Sequence, residues 1–233
     1  MSVEAVEKSL GGRLCRVYAQ ASPRFLLLQP VDEYDLKAMD QEAEGILSQA
    51  AAPFVLAALP VADWNRDLSP WPAPAVFGKE DFQGGAQETL EFIRDALLPE
   101  LRKEYGLDAE TKTVLGGYSL SGLFALWAAH TAEGFDGAAA ASPSVWYPGF
   151  DAYAAQHKMK AQAVYLSLGD REERARNPVM AQVGNKIRAL HEAYAADPAL
   201  KTTLVWNQGN HFRDADKRTA HAFAWVMEQL SRP

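Results

Sequence analysis

The sequence predicts an α/β fold: a mainly parallel, doubly wound sheet with helices on both faces and no large lid. Three observations lead there. Short runs rich in apolar and β-forming residues recur at residues 13 to 19, 25 to 29, 54 to 61, 113 to 115, 137 to 141, 163 to 168 and 202 to 206. Several are apolar on both faces, as expected of strands sandwiched between two helix layers; strands of a half-exposed antiparallel sheet would alternate. Between the runs lie helical stripes at Ala86, Leu90, Ile93, Leu97 and Leu101, at Val179, Val183, Ile187, Leu190 and Tyr194, and at Ala220, Phe223, Ala224, Met227 and Leu230. Strands alternating with helices of this length make parallel crossovers, and ligands then gather beyond the carboxyl ends of the strands.

Composition bounds the rest. A chain of 233 residues with 48% hydrophobic content and no linker, repeat or low-complexity tract fits one domain over residues 1 to 233. A formal charge of -7 without a basic face argues against nucleic acid or an anionic membrane as partner. Cys15 is the single cysteine, so no internal disulfide forms, and it is expected to be a small core residue. The start, Met-Ser-Val-Glu-Ala-Val-Glu-Lys, lacks a basic region followed by an apolar run, and no stretch reaches 18 uninterrupted apolar residues. The expectation is a cytoplasmic protein; its oligomeric state is not legible.

Taken in order, the run at 25 to 29 feeds the loop Gln29-Pro-Val-Asp-Glu-Tyr-Asp35. Its acids, Asp32, Glu33 and Asp35, have no histidine beside them at ligand spacing, so no metal is expected. The run at 54 to 61 feeds a long segment, residues 62 to 81, without periodicity of its own. Such loops often shape a site, and Trp64, Trp71 and Phe77 are candidates to line a pocket, with Arg66 a candidate contact for an anionic substrate.

The run at 113 to 115 opens the stretch that organises the chain, Thr113-Val-Leu-Gly-Gly-Tyr-Ser-Leu-Ser-Gly-Leu-Phe-Ala-Leu-Trp127. It reads as a buried strand, a glycine-tight turn with Ser119 at its tip, and a helix, which is the shape of a nucleophile elbow. Small residues two before and two after the serine let neighbouring backbone approach, and here they are Gly117 and Ser121. Ser121 stands where the usual pattern has glycine. The first amide of the following helix, at Leu120, points at the space above the serine and supplies half an oxyanion hole. A second amide is expected from the early loop; Pro30 has no N–H, which leaves Val31 or Asp32.

A serine hydroxyl needs a base within hydrogen-bond reach, and the base needs an orienting acid. Of five histidines, His157 reads as surface, His191 and His221 fall inside helices, and His130 ends the helix leaving the elbow. His211 lies in Asn207-Gln-Gly-Asn-His-Phe212, between the last strand and the last helix, over the carboxyl edge of the sheet. The order serine, acid, histidine then places the acid after the run at 163 to 168, in Gly169-Asp-Arg-Glu-Glu-Arg174. Glu172 is preferred, Asp170 is the alternative and Glu173 comes third; the acids not used are expected to pair with Arg171, Arg174 and Arg176.

At these residues the chain resembles the putative-esterase group of α/β hydrolases, which includes esterase D-like, feruloyl-esterase-like and enterochelin-esterase-like enzymes. The resemblance rests on Gly-Gly-Tyr-Ser-Leu-Ser-Gly around Ser119, Ala141-Ser-Pro-Ser-Val-Trp146, Leu168-Gly-Asp-Arg-Glu-Glu173 and Gly209-Asn-His-Phe212, and it covers most of the chain. It implies a single esterase-like domain, no cofactor, and hydrolysis of small-molecule carboxylic esters by Ser119, His211 and an acid of the 170 to 173 loop. A compact chain implies an open, shallow site for short or soluble acyl groups, with Trp146 joining Trp64 and Trp71 as pocket-wall candidates. Acyl transfer by the same residues, and a non-catalytic binding domain of the same fold, are the alternatives.

Overall fold

A computed structural model describes residues 3 to 76 and 78 to 232. In chain order the strands are β1 (Ala5–Leu10), β2 (Arg13–Ala19), β3 (Phe25–Val31), β4 (Phe54–Pro60), the short β5 (Pro72–Ala73) and β6 (Phe82–Gln83), β7 (Lys112–Tyr118), β8 (Gly137–Ala141), β9 (Ala163–Gly169) and β10 (Lys201–Asn207). The helices are α1 (Glu33–Gln49), α2 (Trp64–Asp67), α3 (Ala86–Phe92), α4 (Leu98–Glu104), α5 (Leu120–Thr131), α6 (Phe150–Gln156), α7 (Val183–Ala195) and α8 (Ala215–Ser231). A π-helical turn, Ile93–Leu97, joins α3 to α4, so the stripe from Ala86 to Leu101 runs along one continuous rod.

Eight strands form one sheet in the order β1-β2-β4-β3-β7-β8-β9-β10. From β4 to β10 every neighbour is parallel, whereas β1 with β2 and β2 with β4 are antiparallel. The mainly parallel, doubly wound sheet is thus as expected, with an antiparallel hairpin added at one edge. That hairpin includes β1, which the sequence reading missed because Ala-Val-Glu-Lys-Ser-Leu is mostly exposed and carries no buried run.

Side chains alternate across the sheet, as a pleated strand requires. In β3, Leu26 and Leu28 enter the core beneath the α3–α5, α6 and α7 layer, while Phe25, Leu27 and Val31 enter the core beneath α1 and α8. The run at 113 to 115 extends to Tyr118 through Gly116 and Gly117. Gly116 lies against α8 and β8 so closely that a Cβ there would stand 2.6 Å from Phe223 Cζ and 2.8 Å from Ala139 Cβ. α5 is buried from Leu120 to His130, since it packs over the middle of the sheet beneath other elements.

The segment at 62 to 81 is more ordered than its composition suggested. Asp63 caps α2 by accepting the Arg66 N–H at 2.9 Å, and β5 pairs with β6. Phe77 lies outside the described residues. Among the described residues, no helix is long and apolar enough to cross a membrane.

Candidate active site

Ser119 is the residue at which β7 turns into α5, with φ 57° and ψ −119°. Non-glycine residues rarely adopt this backbone, at a cost of about 1–3 kcal/mol, and keep it only when their surroundings insist. They do here. Ser119 N donates to Ala141 O at 3.2 Å, and Ser119 O accepts from Leu123 N and Ser144 N, each at 3.0 Å.

Gly117 and Ser121 face each other across the turn. A Cβ on Gly117 would lie 2.1 Å from Ser121 Oγ and 2.6 Å from its Cβ, so residue 117 must be glycine while 121 carries a side chain. The departure at 121 has its own use: the buried Ser121 hydroxyl donates to Pro30 O at 2.7 Å, tying the start of α5 to the end of β3. Val31 is the next residue and closes β3, but its sheet partner Pro60 has no N–H, so the ladder is made by the Val31 N–H toward Leu59 O and the Val61 N–H toward Val31 O; the expected second oxyanion donor therefore passes from Val31 to its alternative, Asp32, just past the strand.

His211 comes from the loop after β10. Its Nε2 lies 3.0 Å from Ser119 Oγ, and its Nδ1 lies 2.7 Å from Glu172 Oε2. A carboxylate at Nδ1 puts the imidazole proton there and leaves the Nε2 lone pair for the serine hydroxyl. Tyr118 steadies the loop: its hydroxyl donates to His211 O at 2.8 Å, and burial pushes its pKa up to about 12, which keeps it a donor.

Glu172 opens a single 3-10 turn and is buried. Its Oε1 accepts from Gly169 N at 2.6 Å, Ser142 Oγ at 2.8 Å and Arg218 Nη1 at 3.2 Å. Four donors therefore hold one carboxylate, and only Oε2 faces the histidine. Asp170 is engaged differently, accepting Gly209 N–H at 2.8 Å and so pinning the acid loop to the histidine loop. Glu173 pairs with Arg188 at 2.7 Å. The expected pairing of the spare acids with Arg171, Arg174 and Arg176 is not what forms, because the loop folds back on its neighbours β10 and α7.

Among the expected wall residues, Trp64 lines a cavity of about 390 Å³ that opens on Ser119 and His211. Trp71 and Trp146 are not in its lining. Trp71 donates to Pro148 O at 2.9 Å and packs on Tyr147 and Tyr153, and Trp146 is buried near Phe82 and Tyr147. Both serve packing. Arg66 is engaged by Asp67 at 3.0 Å and by Glu88, so the expectation of an anion contact there gives way to an ion-pair cluster. The first carboxylate of the early loop, Asp32, caps α1 by accepting Tyr34 N–H and Asp35 N–H at 2.8 and 2.7 Å. Among the described residues, no three of His, Cys, Asp and Glu are gathered to hold a metal ion.

Three residues that sequence reasoning missed complete the cluster: Ser142, Ser144, with Oγ 3.3 Å from Ser119 Oγ, and Arg218. The serines sit in the Ala-Ser-Pro-Ser segment, where their contacts depend on the positive φ of 41° at Ser142. Arg218 lies in the first turn of α8, where a basic residue in an acidic-basic run reads as solvated.

A strained serine between β7 and α5, carried on a mainly parallel sheet with helices on both faces, defines an α/β hydrolase. The chain belongs to the esterase family: the family model described as "Putative esterase" matches residues 31 to 226, and the protein is a carboxylic ester hydrolase. A search of curated proteins finds no match.

Solved structures share the fold. A siderophore hydrolase, EstB of Aspergillus nidulans, superposes with a TM-score of 0.74 at 19% identity, covering 100% of this chain and 97% of that one. An IroE-like serine hydrolase of Shewanella oneidensis gives 0.79 at 15% identity, covering 97% and 80%. The enterobactin esterase Fes of Shigella flexneri gives 0.68 at 16% identity, covering 100% of this chain but 61% of that one.

Proposed function

We propose that this esterase is a serine hydrolase acting on small, soluble carboxylic esters through an acyl-enzyme. The observation that carries the reading is the unbroken line from Ser119 Oγ to His211 Nε2 at 3.0 Å and from His211 Nδ1 to Glu172 Oε2 at 2.7 Å. Ser119 Oγ attacks the ester carbonyl carbon as its proton passes to His211 Nε2. The carbonyl oxygen becomes an oxyanion received by the Leu120 and Asp32 amides, and Glu172 stabilises the imidazolium. His211 then gives the proton to the departing alcohol oxygen as the ester C–O bond breaks. Water repeats the sequence on the acyl-enzyme, releasing the acid and restoring Ser119.

Substrate size is argued from the cavity, whose 390 Å³ stands near the low end of the roughly 300–1,000 Å³ typical of ligand pockets. Siderophores and enterobactin belong to the structural neighbours; at 15–19% identity the likeness carries the fold and not the substrate. The test is hydrolysis of p-nitrophenyl acetate, butyrate and octanoate by wild type and Ser119→Ala. The expected result is a preference for the shorter esters and a loss of roughly 10^4 to 10^6 in kcat on removing the hydroxyl. Equal rates in the two proteins would reject the reading.

A further inference from the structure

The cavity that opens on Ser119 is lopsided in charge. Five carboxylates line it, Asp32, Asp35, Glu42, Asp214 and Asp216, and no lysine or arginine does. Two are already engaged: Asp32 by the α1 amides, and Asp214 by Arg213 at 3.3 Å and Lys217 at 3.6 Å. Among the described residues, the carboxylates of Asp35 and Asp216 have no hydrogen-bond donor or ion-pair partner.

A second observation points the same way. Gln29 and Glu42, 2% and 5% exposed, also line the cavity, and each leaves its Oε1 buried without a donor. Their one mutual contact, Gln29 Nε2 to Glu42 Oε2, is long at 3.4 Å. Buried acceptors are nearly always satisfied, so a pair short of donors beside unpaired carboxylates marks a site poor in protons of its own, even with the one that burial holds on Glu42. The lining also includes four aromatic rings, Trp64, Tyr118, Tyr34 and Phe212, the last two 76% and 88% exposed. Aromatic faces attract cations through their quadrupole. An anionic substrate would meet the carboxylates of Asp35 and Asp216 with no lysine or arginine in the lining to offset them.

We infer that the ester taken by this site carries a protonated amine, its N–H groups directed at Asp35 and Asp216, its alkyl stem against the aromatic wall. This rests on the serine-hydrolase reading for turnover but not for binding. The charge of the site is itself tunable: burial, with Asp32 adding and His211 opposing, pushes the Asp35 carboxyl up to about 7, and burial pushes Glu42 well above its ordinary range. Selectivity for the ammonium therefore rises as pH climbs through about 7, where Asp35 ionises.

Binding and turnover are measured separately. Calorimetry on Ser119→Ala at pH 8 and low salt compares n-hexylammonium, hexyltrimethylammonium, 1-heptanol and heptanoate. The expected order is ammonium, trimethylammonium, alcohol, carboxylate, with the ammonium about tenfold tighter than the alcohol, weakened by added salt and by Asp35→Asn and by Asp216→Asn. Ammonium binding no tighter than the alcohol, or unmoved by both substitutions, overturns the inference; trimethylammonium binding equally well overturns the role of the N–H groups. Wild type is then assayed on 4-nitrophenyl 6-aminohexanoate and 4-nitrophenyl heptanoate, and the amino ester is expected to have the higher kcat/KM. A lower value overturns the inference, whereas ammonium binding with neither ester turned over sinks only the serine-hydrolase reading.

Discussion

Arg218 Nη1 lies 3.2 Å from Glu172 Oε1, the carboxylate oxygen that does not face His211. Both side chains are almost wholly buried, so this is an ion pair in a dry setting, where each partner exists at the other's expense. Arg218 also donates from Nη1 to the Tyr118 hydroxyl and from Nη2 to Gln208 O, at 3.0 and 3.1 Å. One guanidinium thus joins the acid, the residue before the serine and the loop that brings the histidine.

Removing it is therefore expected to damage stability and geometry together. Arg218→Met leaves Glu172 buried without its counter-charge and should cost roughly 3–5 kcal/mol. Arg218→Lys keeps the charge but loses the fork that reaches two partners at once. Urea denaturation of the three proteins should rank wild type above lysine above methionine. A methionine variant as stable as wild type would mean the pair contributes nothing.

The choice among the acids is open to a direct comparison. Glu172→Gln keeps shape but no longer fixes the Nδ1 proton of His211, and kcat is expected to fall by on the order of 10^4. Asp170→Asn retains an oxygen for the Gly209 N–H and should lose far less. The reverse ranking in kcat would transfer the orienting role to Asp170.

The packing of Gly117 on Ser121 predicts a coupled pair. Gly117→Ala drives a Cβ to within 2.1 Å of Ser121 Oγ, and overpacking of this kind costs about 1–3 kcal/mol. Adding Ser121→Gly should recover the part of that loss due to the clash, while the φ of 157° at residue 117 keeps its own strain and the bond to Pro30 O is lost. A double-mutant cycle by thermal unfolding checks this, and strict additivity would contradict it.

Glu42 makes a prediction about pH. Its folded-state pKa lies well above the unfolded one because burial disfavours the charge. The folded protein therefore holds a proton that the unfolded chain has released, and this group's contribution weakens as pH rises above the ordinary carboxylate range. Asp35, raised to about 7, adds a loss of the same sign that ends near that pH. Glu42→Gln should flatten the fall in Tm between about pH 5 and 8; an unchanged slope would contradict it.

The sequence was informative wherever local chemistry decided the structure. The two-faced apolar runs marked the parallel strands, and the spacing of Gly117, Ser119 and Ser121 marked the turn before its φ of 57° was known. The loop positions of His211 and Glu172 followed from chain order. What stayed hidden depends on contacts between distant segments. β1 is a polar edge strand specified by its partner, Trp71 and Trp146 are turned into packing by Tyr147 and Phe82, and Arg218 is buried only because α8 crosses the acid loop. The charge of the cavity was invisible for the same reason, since Asp35 and Asp216 lie far apart in sequence on α1 and α8 and meet across one opening.

The central claim is that Ser119, and no other hydroxyl, is the nucleophile, and Ser144 with its Oγ 3.3 Å away is the strictest control. Wild type, Ser119→Ala and Ser144→Ala are treated with a fluorophosphonate and digested, and the modified peptide is sequenced by mass spectrometry. A single adduct on Ser119, kept in Ser144→Ala and lost in Ser119→Ala, is the predicted result. An adduct on Ser144, or labelling that survives Ser119→Ala, would contradict it.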